Sequence, residues 1–240
     1  MRTTRVTLVI PVLNEERQLP WSIWRLRESL RRIDGYDWDL VVVDNGSTDR
    51  TWEVAESLQA RGEARALSIG RRGRGGALRE AWSMATGEIL AYMDVDLSTD
   101  LVHVRDLVQP LRAGTADVVA GSRLSPGSRV VRGWRRECLS RVFNQMARVL
   151  TGSRVRDHQC GFKALTRLAW LDLAPCIEDR AWFFDTELLV HAQRRGWRIL
   201  EMPVHWVDDP DSRVRIFSTA WQEFRGLWRL RARPARRIFT

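Results

Sequence analysis

Residues 38–49 read WDLVVVDNGSTD. The run WDLVVV is dense in valine and lacks strict polar–apolar alternation, so it reads as a strand covered on both faces. Asp44 closes the strand and Gly46 opens a turn. Ser47, Thr48 and Asp49 can then accept hydrogen bonds from the first N–H groups of a helix running to about residue 60. A doubly covered strand followed at once by a helix is half of a β–α–β unit, and such units build parallel sheets.

The pattern repeats in both directions. Residues 5–11 (RVTLVIP) form an earlier strand, and Leu19, Ile23, Leu26, Leu30 and Ile33 fall at helical spacing after it. Downstream come a short strand at 65–69, a glycine-rich loop at 70–76, and a helix to about residue 86. A strand at 88–93 (EILAYM), a helix to residue 111 and a strand at 117–120 complete the first half. The expected fold is α/β: a mainly parallel sheet flanked by helices. Ligands of such sheets bind beyond the carboxyl ends of the strands. Acidic residues gather there, with Glu15 after the first strand, Asp44 after the second, and Asp94-Val95-Asp96 after the fourth.

The composition belongs to a folded chain of 240 residues, 44% hydrophobic and 29% charged, which excludes disorder and collagen-like repeats. No apolar run approaches the roughly 18–20 residues that cross a bilayer, and the N-terminal MRTTRVTLVIPVLNEE does not read as a signal peptide. The net charge of +9 is concentrated at one end: residues 212–240 hold eight arginines and the single acid Glu223. Lys163 is the only lysine. Cys138, Cys160 and Cys176 lack CxxC spacing and the four histidines lack an HExxH pattern, which argues against zinc and fits a reducing, cytoplasmic setting.

Two carboxylates at a strand terminus suit a hard divalent cation, Mg2+ or Mn2+, whose other positions are taken by phosphate oxygens. The run GRRGRGG at 70–76 is no dinucleotide fingerprint, because that belongs in the first strand-to-helix turn, which here is PVLNEE. It reads instead as a basic loop suited to phosphate contacts from Arg74 and backbone N–H groups.

In chain order the sequence contains VIPVLNEE, VVVDNGSTDRT, GRGGALREAW, YMDVDLST, GSRL, VRDHQCGFK, WFFDTELL and EMPVHWVDDPDSRV. Together these resemble the inverting family-2 glycosyltransferases of GT-A (Rossmann-like) fold, and among them the enzymes that charge a polyprenyl phosphate with one sugar, in particular the dolichyl-phosphate β-glucosyltransferase branch. The resemblance spans about residues 5–213. It implies a metal-dependent transfer of one hexose, glucose from UDP-glucose, to a polyprenyl phosphate; mannose from GDP-mannose, or a saccharide or metabolite acceptor, is the alternative within the family. It further implies that Pro11, Glu15 and Asp44 line the nucleoside pocket, that Arg74 stands near the diphosphate, and that Asp94 and Asp96 are the metal motif. Ser98 stands where many relatives carry a glutamine. Arg123, Arg136 and Ser140 match positions that hold the acceptor phosphate, and Asp157 a catalytic or sugar-orienting carboxylate. Asp185 and Glu187 face the donor sugar or organise the site, and Ser212 and Arg213 match a pair that closes over the diphosphate.

The charge sets residues 212–240 apart as a tail beyond a catalytic unit of residues 1–211. As a helix the tail places Phe217, Trp221, Phe224 and Trp228 in one apolar stripe with Leu227 beside it and arginines flanking. That describes a basic amphipathic helix lying on an anionic membrane, so the expected location is cytoplasmic and peripheral on the inner face of the membrane. A partner carrying membrane helices fits the same picture. A nucleic-acid-binding protein would also explain the basic tail, but it leaves the acidic strand ends without a purpose, and nucleic acid is not expected as a partner.

Overall fold

The computed structural model describes residues 3–208 and 216–232, with side chains in the latter segment from 223 onward. The first half alternates as β1 (Thr4–Val12), α1 (Leu19–Leu30), β2 (Tyr36–Asp44), α2 (Thr51–Ala60), β3 (Arg65–Ser68), α3 (Arg74–Met84), β4 (Ile89–Met93), α4 (Val104–Arg112) and β5 (Val118–Ser122). The second half adds β6 (Arg129–Val131), α5 (Trp134–Thr151), β7 (Phe162–Thr166), α6 (Arg167–Leu173), α7 (Phe184–Arg194), β8 (Ile199–Pro203), β9 (His205–Val207) and α8 (Ile216–Ala232).

Seven strands form one sheet in the order β3-β2-β1-β4-β7-β5-β8. All pairings are parallel except those of β7, which runs antiparallel to β4 and β5. The reversal matters for function. Because Phe162 pairs with Met93, the chain segment entering β7 arrives at the same edge where β4 ends. β6 and β9 make a separate parallel ribbon, which lies against the segment after β4 through bonds such as Val207 N–H to the Ser98 carbonyl at 2.9 Å.

Alternate residues of the central strands face opposite layers. Val6, Leu8 and Ile10 pack under α1, α2 and α4 with Ile23, Leu26 and Leu107, whereas Val9, Val41 and Tyr92 pack under α3, α6 and α7 with Trp82, Trp170 and Phe184. A third, smaller cluster joins Leu227 and Leu230 of α8 to Ala147, Phe183 and Val190. The non-glycine residues with positive φ among those described are Asn14 and Leu97, which sit just beyond β1 and β4. Such backbone is costly for a side chain of leucine's bulk, and both instances fall on the carboxyl edge of the sheet.

Candidate active site

At the carboxyl end of β1 and β2 the two loops are knitted together. Asn14 Oδ1 accepts from the Thr48 N–H at 2.7 Å, and the Glu15 N–H donates to Thr51 Oγ1 at 2.7 Å. Asp44 is buried and accepts from the Ser47 N–H at 3.2 Å. Pro11 is buried in β1 opposite Val43. These residues form a shaped rim with the Asp44 carboxylate at its base.

Next along the edge, β4 delivers Asp94 and Asp96, both half-buried. Asp94 is clamped from below. Arg74 donates to its Oδ1 from Nε at 3.0 Å and Nη2 at 2.8 Å, and also reaches Asp185 through Nη1. Lys163 Nζ lies 3.0 Å from Asp185 Oδ1, and the Tyr92 hydroxyl donates to the same carboxylate. Arg74, Lys163, Asp94 and Asp185 are thus two cations and two anions held together, so the charge of the group closes to zero. Burial opposes ionisation of Asp185, but Lys163 and Arg74 outweigh it and hold the carboxyl below its ordinary value. The Arg74 guanidinium lies between the rings of Tyr92, at 4.8 Å, and Trp182, at 5.2 Å. The expected backbone donors beside it are already engaged: the Gly75 and Gly76 N–H groups bond the Ala181 and Arg180 carbonyls at 3.1 and 2.8 Å.

Gly161 explains the glycine in the CGFK segment. A Cβ built there meets Asp94 Oδ2 at 1.7 Å, and the Gly161 carbonyl accepts from the Asp94 N–H at 3.2 Å. The Asp94 carboxylate therefore rests on the bare Cα of Gly161. Asp96, two residues on, accepts from the Ser98 N–H at 3.0 Å.

The third part of the edge is rich in arginine. Arg123, just past β5, grips Asp157 in a two-pronged fork, Nε to Oδ2 at 2.8 Å and Nη2 to Oδ1 at 2.9 Å, and its backbone N–H adds a third bond at 2.9 Å. Asp157 is wholly buried. Burial disfavours its charge, yet Arg123 overcomes that and holds the carboxyl well below the usual range. With both oxygens engaged by Arg123, Asp157 fixes the orientation of that guanidinium. Arg136 donates to Asp208 at 2.7 Å, and Ser140 is buried one turn further along α5. Arg132, which the sequence reading did not single out, lies close enough to Arg123 that burial and then that neighbouring charge lower its pKa.

Glu187 joins the loop before α7 to α8. Its carboxylate accepts from the Glu178 and Asp179 N–H groups at 2.9 and 2.7 Å and from Arg229 of α8 at 2.7 Å, so it organises the loop before α7. Ser212 and Arg213 lie outside the described residues. Lys163, Tyr92 and Gly161 complete the clamp and were missed as individuals, although a lone lysine in an arginine-rich chain was a visible signal.

A divalent cation can be tested against these donors. Among the described residues no three His, Cys, Asp or Glu side chains converge on one point. Mg2+ sites that are completed by substrate phosphates need only one or two carboxylates, and Asp96 with the clamped Asp94 supplies that number. The buried hydroxyls Ser98 Oγ, Thr99 Oγ1 and Ser122 Oγ make no hydrogen bond; all lie at this edge, where hard oxygen donors fit such an ion. The residues fit a phosphate-completed cation.

The family model for glycosyl transferase family 2 matches residues 7–172. The chain is 39% identical over 236 residues to the glycosyltransferase AglD of Haloferax volcanii, a match covering 95% of this chain and 38% of that protein. It is 28% identical to the dolichyl-phosphate beta-glucosyltransferase of Dictyostelium discoideum, covering 95% of this chain and 74% of that one. The fold is shared with the solved glucosyl-3-phosphoglycerate synthase of Mycobacterium tuberculosis, at a TM-score of 0.72 and 24% identity over 97% of this chain and 82% of that one. The strand order, the acidic carboxyl edge and the match over residues 7–172 agree: the chain belongs to glycosyl transferase family 2.

Proposed function

We propose that this chain transfers one glucose from UDP-glucose to a polyprenyl phosphate of the dolichyl class, with inversion at the anomeric carbon and with Mg2+ or Mn2+ as cofactor. The observation that carries the reading is the half-buried Asp96 beside a neutral charge clamp, with the Arg123–Asp157 fork on the next strand end. Relatives from Dictyostelium and Saccharomyces cerevisiae are named dolichyl-phosphate beta-glucosyltransferases, and solved neighbours of the same fold hold UDP with Mn2+ or UDP-glucose with Mn2+.

An acceptor phosphate is ionised at neutral pH, so its oxygen attacks C1 of the sugar without a general base while the C1–O bond to the diphosphate breaks. The work left to the protein is orientation and charge placement. Pro11, Glu15 and Asp44 line the nucleoside pocket. Asp96, supported by Asp94, would hold the cation, whose charge would offset that of the departing diphosphate. Arg123, aimed by Asp157, forms the acceptor-phosphate pocket with Arg136 and Ser140. Arg74 and Asp185 act through the clamp that fixes Asp94, Glu187 organises the loop before α7, and Ser212 and Arg213 close over the diphosphate. In this proposal residues 1–211 are the catalytic unit and 212–240 a membrane-facing tail, peripheral on the cytoplasmic side of an anionic membrane and able to work beside an integral partner.

The test incubates the protein with Mg2+, a short polyprenyl phosphate and a panel of UDP- and GDP-sugars, with 3-phosphoglycerate as a parallel acceptor, and reads products by mass spectrometry. One glucolipid, lost on chelation, is expected. Asp96→Ala should lower its formation at least about a hundredfold with an unchanged melting temperature. A GDP-mannose product or a soluble glucoside would replace the donor or acceptor assignment; full activity of Asp96→Ala would sink the metal site.

A further inference from the structure

We infer that Glu223, on the C-terminal helix α8, is a positioning residue for glycosyl transfer: it holds the side chain of Gln159 and through it the loop that joins the two halves of the active site. The inference rests on the proposed transferase reading for its kinetic arm alone.

The loop is residues 157–161, and its alternate residues reach three different elements. Asp157 grips Arg123 beyond β5. Gly161 carries the Asp94 carboxylate beyond β4. Between them, Gln159 Nε2 donates to Glu223 Oε1 at 2.6 Å. A displacement of Gln159 therefore moves both the acid on one strand end and the arginine on the other.

Glu223 is the single acid in residues 212–240, among eight arginines. On a helix serving only to lie on an anionic surface, that carboxylate would face water. Instead it is buried, 6% exposed, and faces Gln159 with Asp185 and Asp179 as its charged neighbours. Burying a carboxylate near two others is costly, so the arrangement needs a compensating purpose, and the contact with Gln159 supplies it. The helix is seated firmly enough to transmit position. A Cβ on Gly226 would meet the Phe183 ring at 2.4 Å, Leu227 and Leu230 fill the cluster with Val190 and Ala147, and Arg229 bonds Glu187 at 2.7 Å. Phe183 and Glu187 bracket Asp185, so α8 braces the clamp from the α7 side as well.

The experiment compares Glu223→Ala, Glu223→Gln and Gln159→Ala, singly and with Glu223→Ala and Gln159→Ala combined. A glutamine at 223 still offers a carbonyl oxygen to Gln159, so it should rescue. For Glu223→Ala the expectation is a fall in kcat of at least about tenfold with UDP affinity, set at the β1–β2 rim, changed by less than about threefold. The double variant should be no worse than the worse single one, because both remove the same contact. A second arm needs no turnover. With Cys138 and Cys176 replaced by serine, Cys160, buried inside the loop, should be alkylated at least about tenfold faster in Glu223→Ala than in wild type or Glu223→Gln. Absence of glycosyl transfer by the wild-type protein would overturn the transferase reading and leave the alkylation arm to decide the positioning. Unchanged alkylation in Glu223→Ala, or failure of Glu223→Gln to rescue, would overturn the positioning role.

Discussion

Asp157 shows how burial and pairing decide what a carboxylate can do. Both of its oxygens are taken by Arg123, and a buried pair broken from one side leaves an uncompensated charge that costs about 3–5 kcal/mol. Arg123→Ala should therefore lower stability by that order at pH 7, measured by urea unfolding. Because the folded pKa of Asp157 lies below its unfolded value, the pair's contribution is present above about pH 4 and is lost as pH falls further. The gap between wild type and variant should thus narrow in acid; equal stability at pH 7 would show that the fork carries nothing. The sequence exposed the acids at the strand ends because a carboxylate beyond a valine-rich strand has few structural uses. It did not reveal which of them were paired. That depends on contacts such as Arg74 to Asp185, which lie 111 residues apart in the chain, and on Lys163, whose partner no local pattern announces.

At the scale of elements, β1 to β5 were legible because strand and helix periodicities differ and the connections are short. The reversal of β7 was not, since a buried strand reads alike in either direction, yet it is what brings the 157–161 loop to the catalytic edge. α8 was legible as a helix, while its seating was not. Phe224 and Trp228 are exposed as the apolar stripe anticipated, whereas Leu227 and Leu230 face the protein. Phe217 and Trp221 have side chains outside those described. The buried acid of this helix gives a pH signature. Burial raises the Glu223 pKa to about 7, so its contribution to stability is fully present below the unfolded value of 4.5 and is lost as pH rises through 7. Glu223→Gln should consequently gain stability over wild type between pH 5 and 8, on the order of 1–3 kcal/mol at the upper end. Thermal midpoints that keep a constant difference across this range would count against the buried acid.

At the scale of the molecule, the charge asymmetry predicts how the protein meets a surface. No described helix is long and apolar enough to cross a membrane, and on α8 the exposed Arg225 and Arg231 accompany the exposed Phe224 and Trp228. Each basic residue near an anionic bilayer is worth roughly 1 kcal/mol and is screened by salt. Co-sedimentation with vesicles containing phosphatidylserine should be strong in dilute buffer and fall several-fold at about 0.5 M salt; binding equal to that on neutral vesicles would refute a charge-driven contact. The interior has its own charge story. The one lysine of the chain ends at Asp185 with no exposed surface, so acylating reagents that seek side-chain amines find none in the native fold. A mass increment on Lys163 appears only after its contacts with Asp185 and the Cys160 carbonyl have opened, which makes a slow acylation time course a clock for the opening of this buried clamp.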